Sequence, residues 1–296
     1  MSKFSLKGLG IALVTPFNND YSIDFEALGK LIDFHISAGI DYFVVLGTTG
    51  EAATLTPDER KQVRDFAVER VAARVPLVLG LGGNCTQEVI EEIKHTDLSP
   101  FSAILSVVPF YNKPSQQGIY EHYMTIADAS PVPVILYNVP GRTGVNLGAV
   151  TTLKLARAHE NILGIKEASG NLNQVEEILA NKPENFQLVS GDDSLAMAMI
   201  RMGADGVISV IGNAYPRTYG RLVASALAGD FTAARKVQTK LERMFEYLFA
   251  DGNPAGIKYL LAAKFLMHNK LRLPLTPITS TLADKIYRAM YLLPDD

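Results

Sequence analysis

Short apolar, β-branched runs recur along the chain with helix-length segments between them. The runs read as strands fall at residues 11–14, 42–46, 76–81, 103–108, 134–137, 162–166, 187–189 and 206–210. Most are continuously apolar rather than alternating, as expected of parallel strands buried on both faces. Amphipathic stretches fill the intervals. Residues 25–38 follow Asp24 and stop before Gly39, a start and a stop signal together. Thr56-Pro57-Asp58-Glu59 combines a capping threonine, proline at the first helical position and glutamate three residues after the cap. Residues 147–157, 172–179, 194–202 and 216–228 occupy later intervals. Strand and helix alternating eight times predict an α/β fold closed as a (β/α)8 TIM barrel. An open doubly wound sheet would show the same alternation. Beyond residue 228 the pattern predicts three further helices, at 231–250, 254–268 and 280–292. No Gly/Ser-rich linker separates them, so the expected organisation is a catalytic barrel over 1–228 and a helical extension over 229–296 packed on it.

Composition narrows the functional classes. With 48 % hydrophobic and 20 % charged residues in 296, the chain is neither disordered nor too short for a large core. Its 28 basic against 31 acidic residues leave no basic surplus for nucleic acid. The single cysteine, Cys85, can form neither an internal disulfide nor a thiolate metal site, which suggests a reducing compartment; it reads as a small structural residue. No signal-peptide pattern opens the chain, and no apolar run reaches the ~20 residues of a membrane span. The expected location is therefore cytoplasmic, with no membrane partner. The five histidines are scattered, so no metal is expected, and neither a G-x-S-x-G elbow nor a G-x-x-x-x-G-K-[ST] loop occurs. The glycine-rich run at 80–84 reads as a strand-end loop.

In a barrel of this kind, catalytic groups sit at the C-terminal ends of the strands. Those ends carry Gly47-Thr48-Thr49-Gly50-Glu51, Pro109-Phe110-Tyr111-Asn112, Tyr137-Asn138 with a loop bearing Arg142, Lys166-Glu167, and Ser190-Gly191-Asp192-Asp193. Lys166 ends an apolar strand. An ordinary lysine, pKa ~10.4, is neutral in about one molecule in 2,500 at pH 7, and desolvation raises that fraction. A neutral amine attacks a carbonyl and forms a Schiff base. A strand-end lysine snorkelling to water fits the same position. The Tyr137 phenol could relay protons or simply be core. Thr48 and Thr49, between glycines, could offer hydroxyls and N–H groups to a carboxylate or just form a turn. Arg142 suits bidentate carboxylate binding, although a solvated loop arginine is the commoner case.

GTTGE at 47–51, PFYNKPSQ at 109–116, YNVPGRTG at 137–144, GIKEASGN at 164–171 and SGDD at 190–193 together resemble the dihydrodipicolinate synthase family. The resemblance extends from about Gly8 to the C-terminal helix, through Leu271-Arg272-Leu273-Pro274 and Thr276-Pro277-Ile278-Thr279. It implies a Schiff-base lyase that condenses pyruvate with aspartate 4-semialdehyde on the way to diaminopimelate and lysine, with no cofactor. By resemblance, Lys166 forms the iminium. Thr48, Tyr137 and Tyr111 match a proton relay, Tyr111 being supplied by the neighbouring subunit of a tight dimer. Thr49 holds the pyruvate carboxylate, Gly191 and Ile208 line its pocket, and Arg142 takes the semialdehyde carboxylate. A homodimer or a tetramer of two dimers is implied. N-acetylneuraminate lyases and sugar-acid aldolases share the lysine and tyrosine, and a non-catalytic keto-acid-binding barrel is a further alternative. The Gly141-Arg142-Thr143-Gly144 run favours the synthase. Asn84 and Glu88 match the family's lysine-effector site, whereas Ala52, Pro57, Arg60 and Phe110 depart from it, so feedback inhibition by lysine is expected to be weak or absent.

Overall fold

A computed structural model of the chain describes residues 4–293. Its strands are β1 (Gly8–Ala12), β2 (Tyr42–Val45), β3 (Leu77–Gly80), β4 (Ala103–Val107), β5 (Val134–Asn138), β6 (Ile162–Glu167), β7 (Gln187–Ser190) and β8 (Gly206–Ser209). They follow one another in chain order round a closed barrel, which makes the fold a (β/α)8 barrel. Between and after them come α1 (Phe25–Ser37), α2 (Pro57–Val71), α3 (Thr86–His95), α4 (Gln116–Ala129), α5 (Pro140–Thr143), α6 (Ala149–Ala158), α7 (Leu172–Asn181), α8 (Ala196–Met202) and α9 (Pro216–Leu227). The chain ends in α10 (Phe231–Ala250), α11 (Ala255–Ala263) and α12 (Ser280–Met290). Among the described residues no helix is long and apolar enough to cross a membrane.

Two compact units make up the chain, and each has its own ties. One comprises Pro76–Ile208 with the segment ahead of Gly8. Its strands pair in parallel from β3 to β8, with Tyr137 opposite Lys166 and Asn138 opposite Glu167 across β5 and β6. Ile104, Ile135, Leu136, Ile165 and Leu188 are fully buried, which explains why these strands read as unbroken apolar runs. The Gln187 side chain accepts the Leu6 N–H at 2.6 Å and so fastens the leading segment to β7.

The other unit comprises Gly8–Val75 and the chain after Ile208. Asn213 is a hub here. Its amide donates to the Ala12 and Val210 carbonyls at 2.8 and 3.1 Å, its side-chain oxygen accepts from Val14 N–H, and its own carbonyl accepts from His35 Nε2 at 2.9 Å. Burial pushes the His35 imidazole down to about 4, so it is neutral at pH 7. Thr56 forms the expected capping box with Glu59 at the start of α2. The same Glu59 carboxylate receives both arms of Arg272, at 2.6 and 2.7 Å.

Several boundaries differ from the sequence expectation, each for a local reason. β1 begins at Gly8 rather than residue 11, because Gly8 and Gly10 mask a strand that their composition disfavours. α3 and α4 fill the two remaining intervals. Cys85 makes no capping hydrogen bond at the start of α3, whereas Ser115 caps α4 by accepting the Gly118 N–H at 3.2 Å, and Gly118, a poor helix former, lies inside that helix. α11 stops at Ala263 instead of 268, where Phe265 enters the left-handed region at φ 58° with no glycine to announce it. Cys85, expected to be structural, is exposed.

Candidate active site

Lys166 is the penultimate residue of β6 and is 6 % exposed. Its Nζ lies 4.4 Å from the ring centroid of Tyr137, its register partner on β5, which is also buried. The amine thus lies over an aromatic face, and among the described residues no carboxylate pairs with it. Gly191, just beyond β7, packs on the same lysine. A Cβ there would stand 2.9 Å from Lys166 Cε and 2.6 Å from Ala168 Cβ, so only glycine fits without displacing them. The Gly191 N–H donates to the Glu167 carbonyl at 2.8 Å, fixing that approach. Ile208, on β8, is fully buried.

Arg142 sits not on an open loop but in the short helix α5, exposed. Pro140 at its start and Gly144 at φ 72° after its end make the asymmetric signature of a helical turn, a signal present in the sequence and passed over. Tyr111 follows β4 on an exposed turn. It has φ 72° and is 87 % exposed, and its N–H reaches the Thr143 carbonyl at 3.4 Å. A non-glycine residue held at positive φ costs roughly 1 kcal/mol, the kind of strain that gathers at functional sites. Asn84 donates its amide to the Phe110 carbonyl at 3.1 Å and accepts from Asn112 at 2.9 Å, while Glu88 is exposed in the first turn of α3.

Thr48 and Thr49 belong to the second unit, in the turn after β2. Thr48 is exposed and Thr49 buried. Leu46 enters this turn at φ 59° and Glu51 leaves it at φ 53°, two strained residues flanking the threonines. Asn253 donates its amide to Thr49 Oγ1 at 3.0 Å, which leaves the threonine hydroxyl hydrogen free to donate elsewhere. Glu51 is fully buried and forms an ion pair with Lys258, whose ammonium also donates to the Lys270 carbonyl at 3.0 Å and lies over the Phe17 ring. Burial pushes the Lys258 amine down to about 8, against the upward pull of Glu51. Among the described residues Lys166 and Lys258 are the two buried lysines, and only Lys258 is held by a carboxylate. Sequence reading missed Asn253 and Lys258, although a lone charge within the apolar run 255–261 was a visible sign. No group of three or more His, Cys, Asp or Glu side chains among the described residues is arranged to hold a metal ion.

This set of strand-end residues coincides with a full-length family match. The sequence profile of the dihydrodipicolinate synthetase family matches residues 5–291. The chain belongs to the dihydrodipicolinate synthetase family. Within that family it is 52 % identical over 97 % of its length, and 96 % of the relative's, to the 4-hydroxy-tetrahydrodipicolinate synthase of Parabacteroides distasonis. Among solved structures, dihydrodipicolinate synthase from Aquifex aeolicus shares 40 % identity over 97 % of each chain, with a TM-score of 0.93. The chloride-inhibited dihydrodipicolinate synthase from Acinetobacter baumannii, solved in complex with pyruvate, shares 38 % identity over 97 % of this chain and 99 % of its own, with a TM-score of 0.94.

Proposed function

We propose that this chain is a 4-hydroxy-tetrahydrodipicolinate synthase, a lyase that condenses pyruvate with L-aspartate 4-semialdehyde in diaminopimelate and lysine biosynthesis. The observation that carries the reading is Lys166, buried at the end of β6 against the Tyr137 ring in a chain 52 % identical to a synthase of that name. The pyruvate held by the Acinetobacter baumannii relative supports the first substrate.

The steps follow from the residues. The neutral Lys166 amine adds to the pyruvate ketone, and loss of water leaves an iminium. That cation withdraws electrons from the methyl carbon, whose proton departs to give an enamine. The enamine carbon bonds to the semialdehyde carbonyl, and the carbonyl oxygen takes a proton to become a hydroxyl. The substrate's own amine then attacks the iminium carbon and displaces Lys166, closing the ring. In this reading Tyr137, Thr48 and Tyr111 carry the protons. Thr49, with its hydroxyl hydrogen free, holds the pyruvate carboxylate beside Gly191 and Ile208. Arg142 binds the semialdehyde carboxylate through its planar fork. The protein supplies the electron sink, so the scheme uses no cofactor.

The exposure of Tyr111 supports its service to a neighbouring subunit, hence a tight homodimer, with a dimer of dimers as the full assembly. Sedimentation showing only monomer in an active sample would overturn that part. The helices after residue 228 are read as an extension that serves the barrel, as the Asn253 bond to Thr49 suggests. The enzyme is placed in the cytoplasm. Asn84 already spends its amide on the Phe110 carbonyl, and Arg60 adds a cation where a basic effector would sit, so lysine inhibition is expected to be weak. Half-maximal inhibition below about 1 mM would contradict this.

The deciding experiment is steady-state turnover of pyruvate and aspartate semialdehyde, with product followed through a nicotinamide-dependent reductase. The expected kcat/KM for the semialdehyde exceeds about 10⁴ M⁻¹s⁻¹. Borohydride with pyruvate should trap a covalent adduct that disappears in folded Lys166→Ala. Trapping retained in that variant would move the imine to another lysine.

A further inference from the structure

Each of the two proposed catalytic residues Tyr137 and Lys166 is followed by a polar residue with no role in the chemistry above, Asn138 and Glu167. These two are register partners one step further along β5 and β6. Glu167 is 1 % exposed and Asn138 fully buried. The Glu167 carboxylate accepts from the Ser169 N–H at 2.6 Å, from the Asn138 amide at 3.0 Å and from the Gln174 amide at 2.9 Å. Every one of these donors is a neutral N–H. Burying a carboxyl group among amides is costly unless each lone pair is met, and here both oxygens are engaged.

The same amides reach onward to one loop. Asn138 accepts the Leu147 N–H at 2.9 Å and donates to Asn146 Oδ1 at 2.8 Å. Gln174 donates to the Leu147 carbonyl at 3.1 Å and accepts from the Asn146 amide at 2.8 Å. Gln116 grips the segment from its other end, donating to the Asn146 carbonyl at 2.7 Å and accepting from Gly148 N–H at 3.0 Å. Residues 146–148 are the continuation of α5, the short helix that bears Arg142, and Thr143 joins the two by donating to the Val145 carbonyl at 2.8 Å. On the backbone side, the Glu167 carbonyl holds Gly191.

We propose that Glu167 is a positioning residue that ties the Lys166 strand end to the Arg142 segment and so sets selection of the second substrate. The inference rests on the synthase reading of Lys166 and Arg142. Its physical core is polarity matching: a carboxylate facing three N–H donors fixes which way Asn138 and Gln174 present their amides, and those orientations fix residues 146–148. Glutamine in its place would set an –NH2 against an N–H donor, releasing at least one amide and the loop it holds. A guanidinium displaced by about 1 Å from its carboxylate loses up to about a hundredfold in efficiency.

The test compares wild type, Glu167→Gln and Gln116→Ala in three readouts: KM for the semialdehyde, KM for pyruvate, and borohydride trapping of pyruvate. For Glu167→Gln the expectation is a semialdehyde KM raised about tenfold, with pyruvate KM and trapping within threefold of wild type. Gln116→Ala touches only the exposed end of the clamp, and a rise of about threefold in semialdehyde KM alone is expected. A folded Glu167→Gln with both KM values unchanged overturns the proposal, as does an equal loss on both substrates. Should Glu167→Gln fail to fold, Gln116→Ala decides: a selective rise upholds the coupling and an unchanged semialdehyde KM sinks it. Failure of the synthase reading would show separately, as a wild-type enzyme that does not turn over the semialdehyde.

Discussion

A single methyl group is the finest probe of the Lys166 site. Gly191→Ala would set a Cβ 2.9 Å from Lys166 Cε and 2.6 Å from Ala168 Cβ. Because the second contact involves a short side chain on the strand-end backbone, relief must come largely from the lysine or from the turn after β7. The expected outcome is a drop of about a hundredfold in the rate of pyruvate trapping, with far-ultraviolet circular dichroism unchanged. A trapping rate within twofold of wild type would show that the site yields at no cost. At this scale Tyr137 and Lys166 were singled out because each closes an apolar run in the sequence, and a strand end in a barrel is an address. Asn138, Glu167 and Lys258 were not, since nothing in their spacing tells which face of the strand or helix each will occupy, or that partners as distant as Gln174 and Lys270 will meet them.

Elements are held to one another by a few polar fasteners as well as by apolar packing. Arg272, from the segment between α11 and α12, forks onto Glu59 at the start of α2, donates to the Tyr21 and Thr54 carbonyls, and stacks over the Phe17 ring. Its grip holds the Glu59 carboxyl far below the usual carboxylate range, at about 2. Both side chains are under a quarter exposed, so solvent screens the pair only in part. Arg272→Lys keeps the charge but loses the fork, and a loss of about 1–2 kcal/mol in urea unfolding is expected. A change under about 0.5 kcal/mol would class the contact with ordinary surface pairs. Helix starts such as Thr56 were readable because their signals are local and chemical. The end of α11 was not, because its stop is imposed by Phe265 adopting a left-handed backbone that its residue type does not advertise.

For the molecule as a whole, acid is the weak side. Burial pushes both His35 and His122 from 6.5 down to about 4, so the folded state binds fewer protons than the unfolded chain between those values. Stability therefore rises with pH across that window: the contribution is complete above about pH 6.5 and is lost as pH falls through 4. At about 1.36 kcal/mol per unit, each histidine accounts for about 3 kcal/mol, a large share of a typical 5–15. Glu59 adds a separate loss at lower pH, with stability present above 4.5 and falling away toward 2. Thermal unfolding midpoints should drop steeply from pH 6.5 to 4, and His35→Gln with His122→Gln should flatten that slope; an unchanged slope would assign acid sensitivity elsewhere. The eightfold alternation of strand and helix was legible from periodicity, because strands buried on both faces leave continuous apolar runs. Closure into a barrel was not, since an open doubly wound sheet alternates in the same way. One consequence concerns the order in which a chain is made. The Thr48–Thr49 turn receives its hydrogen bond from Asn253, its buried counter-charge from Lys258 and a peptide N–H from Arg272, all near the C-terminal end. A chain stopped before Asn253 would therefore leave Thr49 without the Asn253 amide and the buried Glu51 without its Lys258 counter-charge. A break in the chain ahead of that point would be felt at a turn 204 residues earlier.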